Sequence, residues 1–229
     1  MGEMLGNIAH QWRQPLNAIS TIASGINLTI ELDTMDKKNM TSYLNKIVDT
    51  TQHLSHTIDD FRNFYIVKKY NETFNIDDTI KSCLSIVDAT LNFYKIESIV
   101  NIDKSINVNG LRNEFCQTII NIITNAKDEL VQKIPSGENR YIFIDAYKKD
   151  KQIIIQIKDN AKGIGENVIN NIFDQHFSTK DNGSGLGLFM SKQIIEEHMN
   201  GTITVENEEY KYNNSEFSGA KFIIALNEK

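Results

Sequence analysis

Asn121 and Asn125 stand one helical turn apart in the stretch Asn113–Lys133, whose apolar residues Phe115, Ile119, Ile122, Ile123, Ala126 and Leu130 repeat with the period of a helix. With Thr118 and Asp128 they form the opposite, polar stripe. Asparagine is a poor helix former because its side chain competes for backbone hydrogen bonds, so two on one face in mid-helix are disfavoured without a role. A carboxamide oxygen is a neutral hard ligand, suited to a Mg2+ ion whose charge phosphates already balance. A solvated helix face is the alternative that periodicity leaves open. Downstream, Asp159-Asn160-Ala161-Lys162-Gly163-Ile164-Gly165 follows a strand pattern, and Asn182-Gly183-Ser184-Gly185-Leu186-Gly187-Leu188 opens a helix. Such glycine turns let backbone N–H groups approach phosphate, and a helix start adds a favourable dipole. A solitary run of this kind is equally a flexible loop. No Gly-x-x-x-x-Gly-Lys-Ser/Thr run exists and no long parallel βαβ array precedes the glycines, which excludes the P-loop and Rossmann readings. Near the start, His10 takes a heptad position turned away from the stripe of Leu5, Ile8 and Trp12, with Pro15 removing a helical hydrogen bond close by. An exposed neutral imidazole is a nucleophile near pH 7.

These residues need elements to position them. Leu5, Ile8, Trp12, Ile19, Ile22 and Ile26 fall on a and d of a heptad, with Pro15 at the intervening d, and predict one long helix. After a polar turn at Leu32–Lys38, the residues Met40, Leu44, Ile47, Thr51, Leu54, Ile58, Phe61 and Tyr65 predict a second. A hairpin of two striped helices cannot hide both stripes within itself. It dimerises into a four-helix bundle or packs on the rest of the chain. Asn71–Asp78 reads as a linker and short strand entry, so the domains are expected at 1–70 and 71–229. The second is an α+β domain with three main helices stacked on one face of a mixed sheet. Its helices are expected after Ile80, over Asn113–Lys133 and near Gly187–His198, and its strands near Ile96–Ile102, Tyr141–Tyr147, Gln152–Lys158, Thr202–Glu206 and Lys221–Leu226. The polar insert Glu208–Ser215 reads as a solvated loop.

Composition narrows the function. A net charge of −6 supplies no basic excess for a nucleic-acid backbone. Cys83 and Cys116 lie far apart in helical patterns, so no disulfide framework or Cys-x-x-Cys site is expected, and a reducing cytoplasm fits. No apolar run approaches the ~18 residues of a membrane span.

The order of the motifs carries a resemblance. His10-Gln11-Trp12-Arg13-Gln14-Pro15-Leu16-Asn17 resembles the phosphoacceptor box of sensor histidine kinases, matching it at His, Pro and Leu. Gln117–Ala126 resembles their N box, Asp159–Gly165 their first glycine box, Ile172-Phe173-Asp174-Gln175-His176-Phe177-Ser178-Thr179-Lys180 their F box, and Gly183–Gly187 their second glycine box. The resemblance implies a dimerisation and histidine phosphotransfer domain followed by a catalytic ATP-binding domain. Autophosphorylation of His10 from MgATP would precede transfer to an aspartate on a response-regulator receiver domain. It also implies that Asn125 binds Mg2+, with Asn121 beside the triphosphate and Asp128 in the same ATP-binding stripe. Asp159 would accept the adenine amine, and Gly163 and Gly165 would let the chain pass close to the nucleotide. Phe173 and Phe177 would anchor a lid carrying Thr179 and Lys180, and Gly183, Gly185, Leu186 and Gly187 would cradle phosphate. Four departures stand out: Gln11 replaces an acid that serves as general base, Gln14 replaces the Thr or Asn of the phosphatase reaction, Ala161 replaces a Gly and Ala220 a Thr. The partners implied are a second copy of the chain and a response regulator. By the same resemblance the sensor would lie upstream, outside this chain, in a full-length protein that such segments could anchor to a membrane. Two other classes remain: an ATP-driven conformational ATPase, disfavoured because Asn121 stands where such hydrolases carry a Glu base, and a nucleotide-binding pseudokinase. His53, His56, His176 and His198 are weaker phosphoacceptors than His10.

Overall fold

A computed structural model describes residues 2–32, 36, 39–52, 71–180 and 185–228, with side chains from residue 15 onward. The chain divides into two compact units, Met1–Val67 and Lys68–Lys229. In the first, α1 runs Gly2–Glu31 and continues through Pro15. The second helix, α2, is described over 39–52. Asp36 starts it, its carboxylate accepting the Asn39 N–H at 2.7 Å. The expected stripe of α2 is split. Met40 and Ile47 are half-buried together with Tyr43 and Thr50, whereas Leu44 and Thr51 are exposed. Thr51 satisfies its hydroxyl on the Ile47 carbonyl at 2.8 Å. The expected continuation over Leu54–Tyr65, with His53 and His56, lies outside the described residues.

The second unit contains β1 (Glu72–Asn75), α3 (Ile76–Phe93), β2 (Ile96–Ile102), β3 (Asn107–Gly110), α4 (Arg112–Lys133), β4 (Arg140–Lys149), β5 (Gln152–Asp159), α5 (Glu166–Ile169), α6 (Gly187–Gln193), β6 (Thr202–Tyr212) and β7 (Ser215–Asn227). Five strands form a mixed sheet in the order β2-β4-β5-β7-β6. Only β2 and β4 pair in parallel within it. The helices pack on one another and on the sheet around Ile80, Ile119, Ile122, Ile123, Leu130, Ile142, Ile144, Ile155, Ile194 and Ile224, all at most 1 % exposed. Each such side chain contributes about 1.5–3 kcal/mol by leaving water.

Three expectations are corrected. Asn71–Asp78 is not a linker: the strand entry expected there is β1, which pairs antiparallel with β3, a strand too short for its period to be read. The side chain of Asn75 then caps α3 by accepting the Asp78 N–H at 3.2 Å. The insert Glu208–Ser215 is not a loop: β6 and β7 continue through it to a tight turn at Asn213 and Asn214, both with positive φ, as a type I′ hairpin requires. Alternation brings Tyr210, Tyr212 and Phe217 onto Tyr141 and Phe143, with ring centroids 5.0–5.7 Å apart. Tyr141 and Phe143 are thereby buried on the side of the sheet opposite Ile142 and Ile144. The helix expected near Gly187–His198 is present, beginning as α6 and ending in a π-helical turn, Ile194–His198. Cys83 and Cys116 do meet: the packing of α3 on α4 sets their Cα atoms 5.8 Å apart and the two sulfurs are bonded.

Candidate functional site

One helix meets every described motif of the second unit. Along α4, Asn121 donates through Nδ2 to the Gly187 carbonyl at 3.2 Å and to Ser191 Oγ at 3.4 Å. One turn on, Asn125 Oδ1 accepts from Lys180 Nζ at 3.2 Å, and Asp128 Oδ2 accepts from the same ammonium at 2.6 Å. At the C-terminal end, Lys133 Nζ donates to the Gly163 carbonyl at 2.7 Å. At 1.5 Å per residue, these contacts span about 18 Å of helix. The polar stripe is therefore not merely a solvated face. The buried face of α4 fixes which side of the helix turns toward these segments. Thr118 lies deeper than its stripe neighbours, fully buried, with its hydroxyl unpaired among the described residues.

Asp159 closes β5 and is 4 % exposed. Its Oδ1 accepts the N–H groups of Ala161 at 2.8 Å and Ala220 at 3.2 Å. Burial pushes its carboxyl up to about 6, against the pull of those two N–H groups and of Lys133, while Glu129 adds to the rise. Oδ1 is spoken for, which leaves Oδ2 as the acceptor for a ligand. At Ala220 the main chain supplies a hydrogen bond to the acid without any hydroxyl. Gly219 permits this close approach, since a Cβ there would lie 1.8 Å from the Asp159 carbonyl oxygen.

The glycines divide by role. Gly163 has φ +75°, and a Cβ on it would fall 2.5 Å from Asn207 Oδ1, so both backbone and space demand glycine. A Cβ on Gly165, by contrast, would meet nothing. Gly185, at φ +65°, packs against the backbone of His176 and Phe177, where a Cβ would come within 2.4 Å. It therefore joins the start of α6 to the segment before it. Gly187 opens α6, with Leu186 as its cap residue. Gly183 lies outside the described residues. Phe173 stands edge-on to Phe222 of the sheet at 6.3 Å, which anchors the 170–180 segment, and Thr179 is exposed on it.

Asp128 carries two cations. Burial alone would raise its carboxyl, but Lys127 and Lys180 hold it below the usual range. Asn125 and Asp128 thus offer a neutral and an anionic oxygen that already share one cation, a donor pair suited to Mg2+. Among the described residues no group of three or more His, Cys, Asp or Glu is arranged to hold a metal. His198 is tied through Nδ1 to the buried Glu114 at 2.5 Å, a packing contact between α4 and the π-helical turn. His10, Gln11 and Gln14 lie on α1, in the stretch whose side chains are outside the description.

Two residues that sequence reasoning missed hold the glycine turn and the acid. Asn207 of β6 bonds both the N–H and the carbonyl of Ile164 at 2.8 Å. The Tyr210 hydroxyl donates to the Asp159 carbonyl at 2.9 Å. Only strand pairing brings them there, and no local pattern announces it.

Comparison with known proteins gives matches along the whole chain. Residues 110–229 match the family described as histidine kinase-, DNA gyrase B-, and HSP90-like ATPase, and residues 1–66 match the His Kinase A (phospho-acceptor) domain. Sporulation kinase A of Bacillus subtilis is 30% identical over 207 residues, covering 90% of this chain and 32% of that protein. Sporulation kinase E of the same organism is 28% identical over 217 residues, covering 92% of this chain and 27% of its own length. The chain thus spans about a third or less of these two relatives. Among solved structures, the histidine kinase ThkA in complex with the response regulator protein TrrA superposes with a TM-score of 0.66 at 22% identity, covering 100% of this chain and 62% of that one. The Acinetobacter baumannii histidine kinase AdeS gives 0.64 at 20% identity, covering 96% and 98%. At these identities the likeness is one of fold.

Proposed function

Because the chain belongs to the histidine kinase-, DNA gyrase B-, and HSP90-like ATPase family and matches a phospho-acceptor domain ahead of that match, we propose that it is the kinase core of a two-component sensor histidine kinase. The observation that carries the proposal is the presence of both halves in one chain, with His10 in the first and the α4 stripe, Asp159 and the glycine turn in the second. In this reading 1–70 is the dimerisation and phosphotransfer domain and 71–229 the ATP-binding domain.

The reaction moves the γ-phosphoryl group of ATP to an imidazole nitrogen of His10. The bond to the bridging oxygen breaks, ADP leaves, and the imidazole proton passes to water because Gln11 takes no proton at neutral pH. The phosphoryl group then moves to an aspartate of a receiver domain. Positioning and charge stabilisation dominate such a transfer. Asp159 Oδ2 accepts the adenine amine, which selects adenine over guanine. Asn125, with Asp128 beside it and Asn121 one turn before it, would hold Mg2+, which supplies charge neutralisation on the phosphates. Thr179 and Lys180, with Gly183, Gly185, Leu186 and Gly187, line the phosphate end, and Phe173 anchors their segment. Gln14, one turn after His10, orients water for regulator dephosphorylation.

Incubation with γ-labelled ATP tests the reading. Acid-labile, alkali-stable label on the protein that disappears in His10→Ala while nucleotide still binds is the expected result. Label retained at normal stoichiometry in His10→Ala overturns the assignment. Free phosphate without labelled protein points instead to a conformational ATPase, and binding without turnover to a pseudokinase.

A further inference from the structure

The turn after β5 holds an unusual backbone, with Lys162 at φ 61° and Gly163 at φ 75° in succession. A non-glycine residue in the left-handed region persists only where its surroundings fix it. Here they do so group by group. The Ala161 N–H reaches Asp159 Oδ1, the Lys162 N–H reaches the Ser218 carbonyl at 2.9 Å, and the Gly163 carbonyl takes the Lys133 ammonium. Between the two glycines, both backbone groups of Ile164 are held by one side chain. Asn207 Oδ1 accepts the Ile164 N–H and Asn207 Nδ2 donates to the Ile164 carbonyl, both at 2.8 Å. A carboxamide presents a donor and an acceptor on one planar group, so Asn207 supplies what a neighbouring strand would supply. Its place in the ladder matters as much as its chemistry. Asn207 pairs with Ala220, whose N–H is bonded to Asp159 Oδ1. A single register position of the β6–β7 hairpin is therefore linked to the acid on one side and to the glycine turn on the other.

We infer that Asn207 is a positioning residue for nucleotide recognition, its carboxamide locking the Gly163–Gly165 turn in fixed relation to the Asp159 carboxylate so that both meet the adenine ring as one surface. This rests on the reading of the second unit as an adenine-nucleotide site. A free Ile164 would let the turn relax from its left-handed backbone, and each binding event would have to order it again. The ordering cost falls on the base and ribose end of the ligand, away from the phosphates.

The test uses the full chain with adenosine, ADP and GDP as probes, titrated by calorimetry. Asn207→Ala removes both bonds. Asn207→Asp is nearly isosteric, keeps the acceptor and sets an anionic oxygen against the Ile164 carbonyl. Adenosine and ADP affinity are expected to fall by the same factor in both variants, about tenfold as one or two modest hydrogen bonds imply. The preference for ADP over GDP narrows. Melting temperature stays within about two degrees of wild type, and amide exchange accelerates at Ile164 but not at Ile155 in mid-β5. Unchanged adenosine affinity in both variants overturns the inference. So does a loss that comes with a lowered melting temperature and faster exchange across the whole sheet, which marks a residue of general stability. A wild-type chain that binds neither adenosine nor ADP overturns the nucleotide reading itself and the inference with it. That outcome is recognised before any variant is compared.

Discussion

At the scale of single residues, Asp159 gives the site its sharpest chemical signature. Its carboxyl, pushed up to about 6 by burial, keeps a proton in the folded chain at pH values where an unfolded aspartate has already released it. Folding stability of the nucleotide-free protein is therefore greatest near and below pH 4 as far as this group is concerned. It declines as pH rises toward 6, by about 3 kcal/mol at most. With Asp159 in its proposed role, ligand affinity runs the other way, since an adenine amine is bound more strongly by the ionised oxygen. Adenosine, which has no phosphate to titrate, is expected to bind with a plateau above pH 7 and to weaken below about pH 6 by up to tenfold per unit. Calorimetry across pH 5–8 checks this. Asp159→Asn flattens the profile and lowers the plateau by the roughly 1.5–3 kcal/mol of a charge-assisted bond. A wild-type profile flat to pH 5 removes Asp159 from the binding step. The acid was legible in the sequence from its place before the glycines. Its two backbone partners were not, because Ala220 arrives from a strand far along the chain.

Among the elements, the segment before α6 is tied to α4 through Lys180. Its ammonium rests on Asn125 and Asp128, the same oxygens proposed for Mg2+. Both partners are about a third exposed, so solvent screens the contact and its worth stays below about 1 kcal/mol. Lys180→Met should accordingly speed chymotryptic cleavage near Phe173 and Phe177 of the nucleotide-free protein by up to about fivefold. High salt should do the same to the wild type. Equal cleavage rates in variant and wild type would mean that the ion pair does not hold the segment. Long periodic elements such as α4 were readable from sequence because their apolar face repeats over many turns. The β6–β7 extension was not. Its charged and asparagine-rich composition hid the alternation of Tyr210, Tyr212 and Phe217, which becomes meaningful only when Tyr141 and Phe143 lie beneath them. The four-residue strand β3 escaped because so short a run has no period, and the Cys83–Cys116 pair because helix packing joins positions distant in the chain.

For the molecule as a whole, the apolar side chains left exposed on the first unit bear on assembly. Leu16, Leu28, Leu44 and Val48 are each 50–56% exposed in the single chain. Dimerisation through the helical unit would cover such positions. Leu44→Lys combined with Val48→Lys is expected to turn a dimer into a monomer by light scattering, while adenosine affinity of the second unit is retained. A double variant that remains dimeric at micromolar concentration places the interface elsewhere. The division into two units makes this separation of effects reasonable. The rail formed by α4 has a consequence of another kind. Its contacts at Asn121, Asn125, Asp128 and Lys133 reach separate segments, yet all depend on one angular setting of the helix. Inserting or deleting a single residue within that span rotates everything beyond it by about 100° and shifts it by about 1.5 Å. Length variation among descendants of this sequence is therefore forbidden between Asn121 and Lys133, whereas the turn at Asn213–Asn214 has room to lengthen.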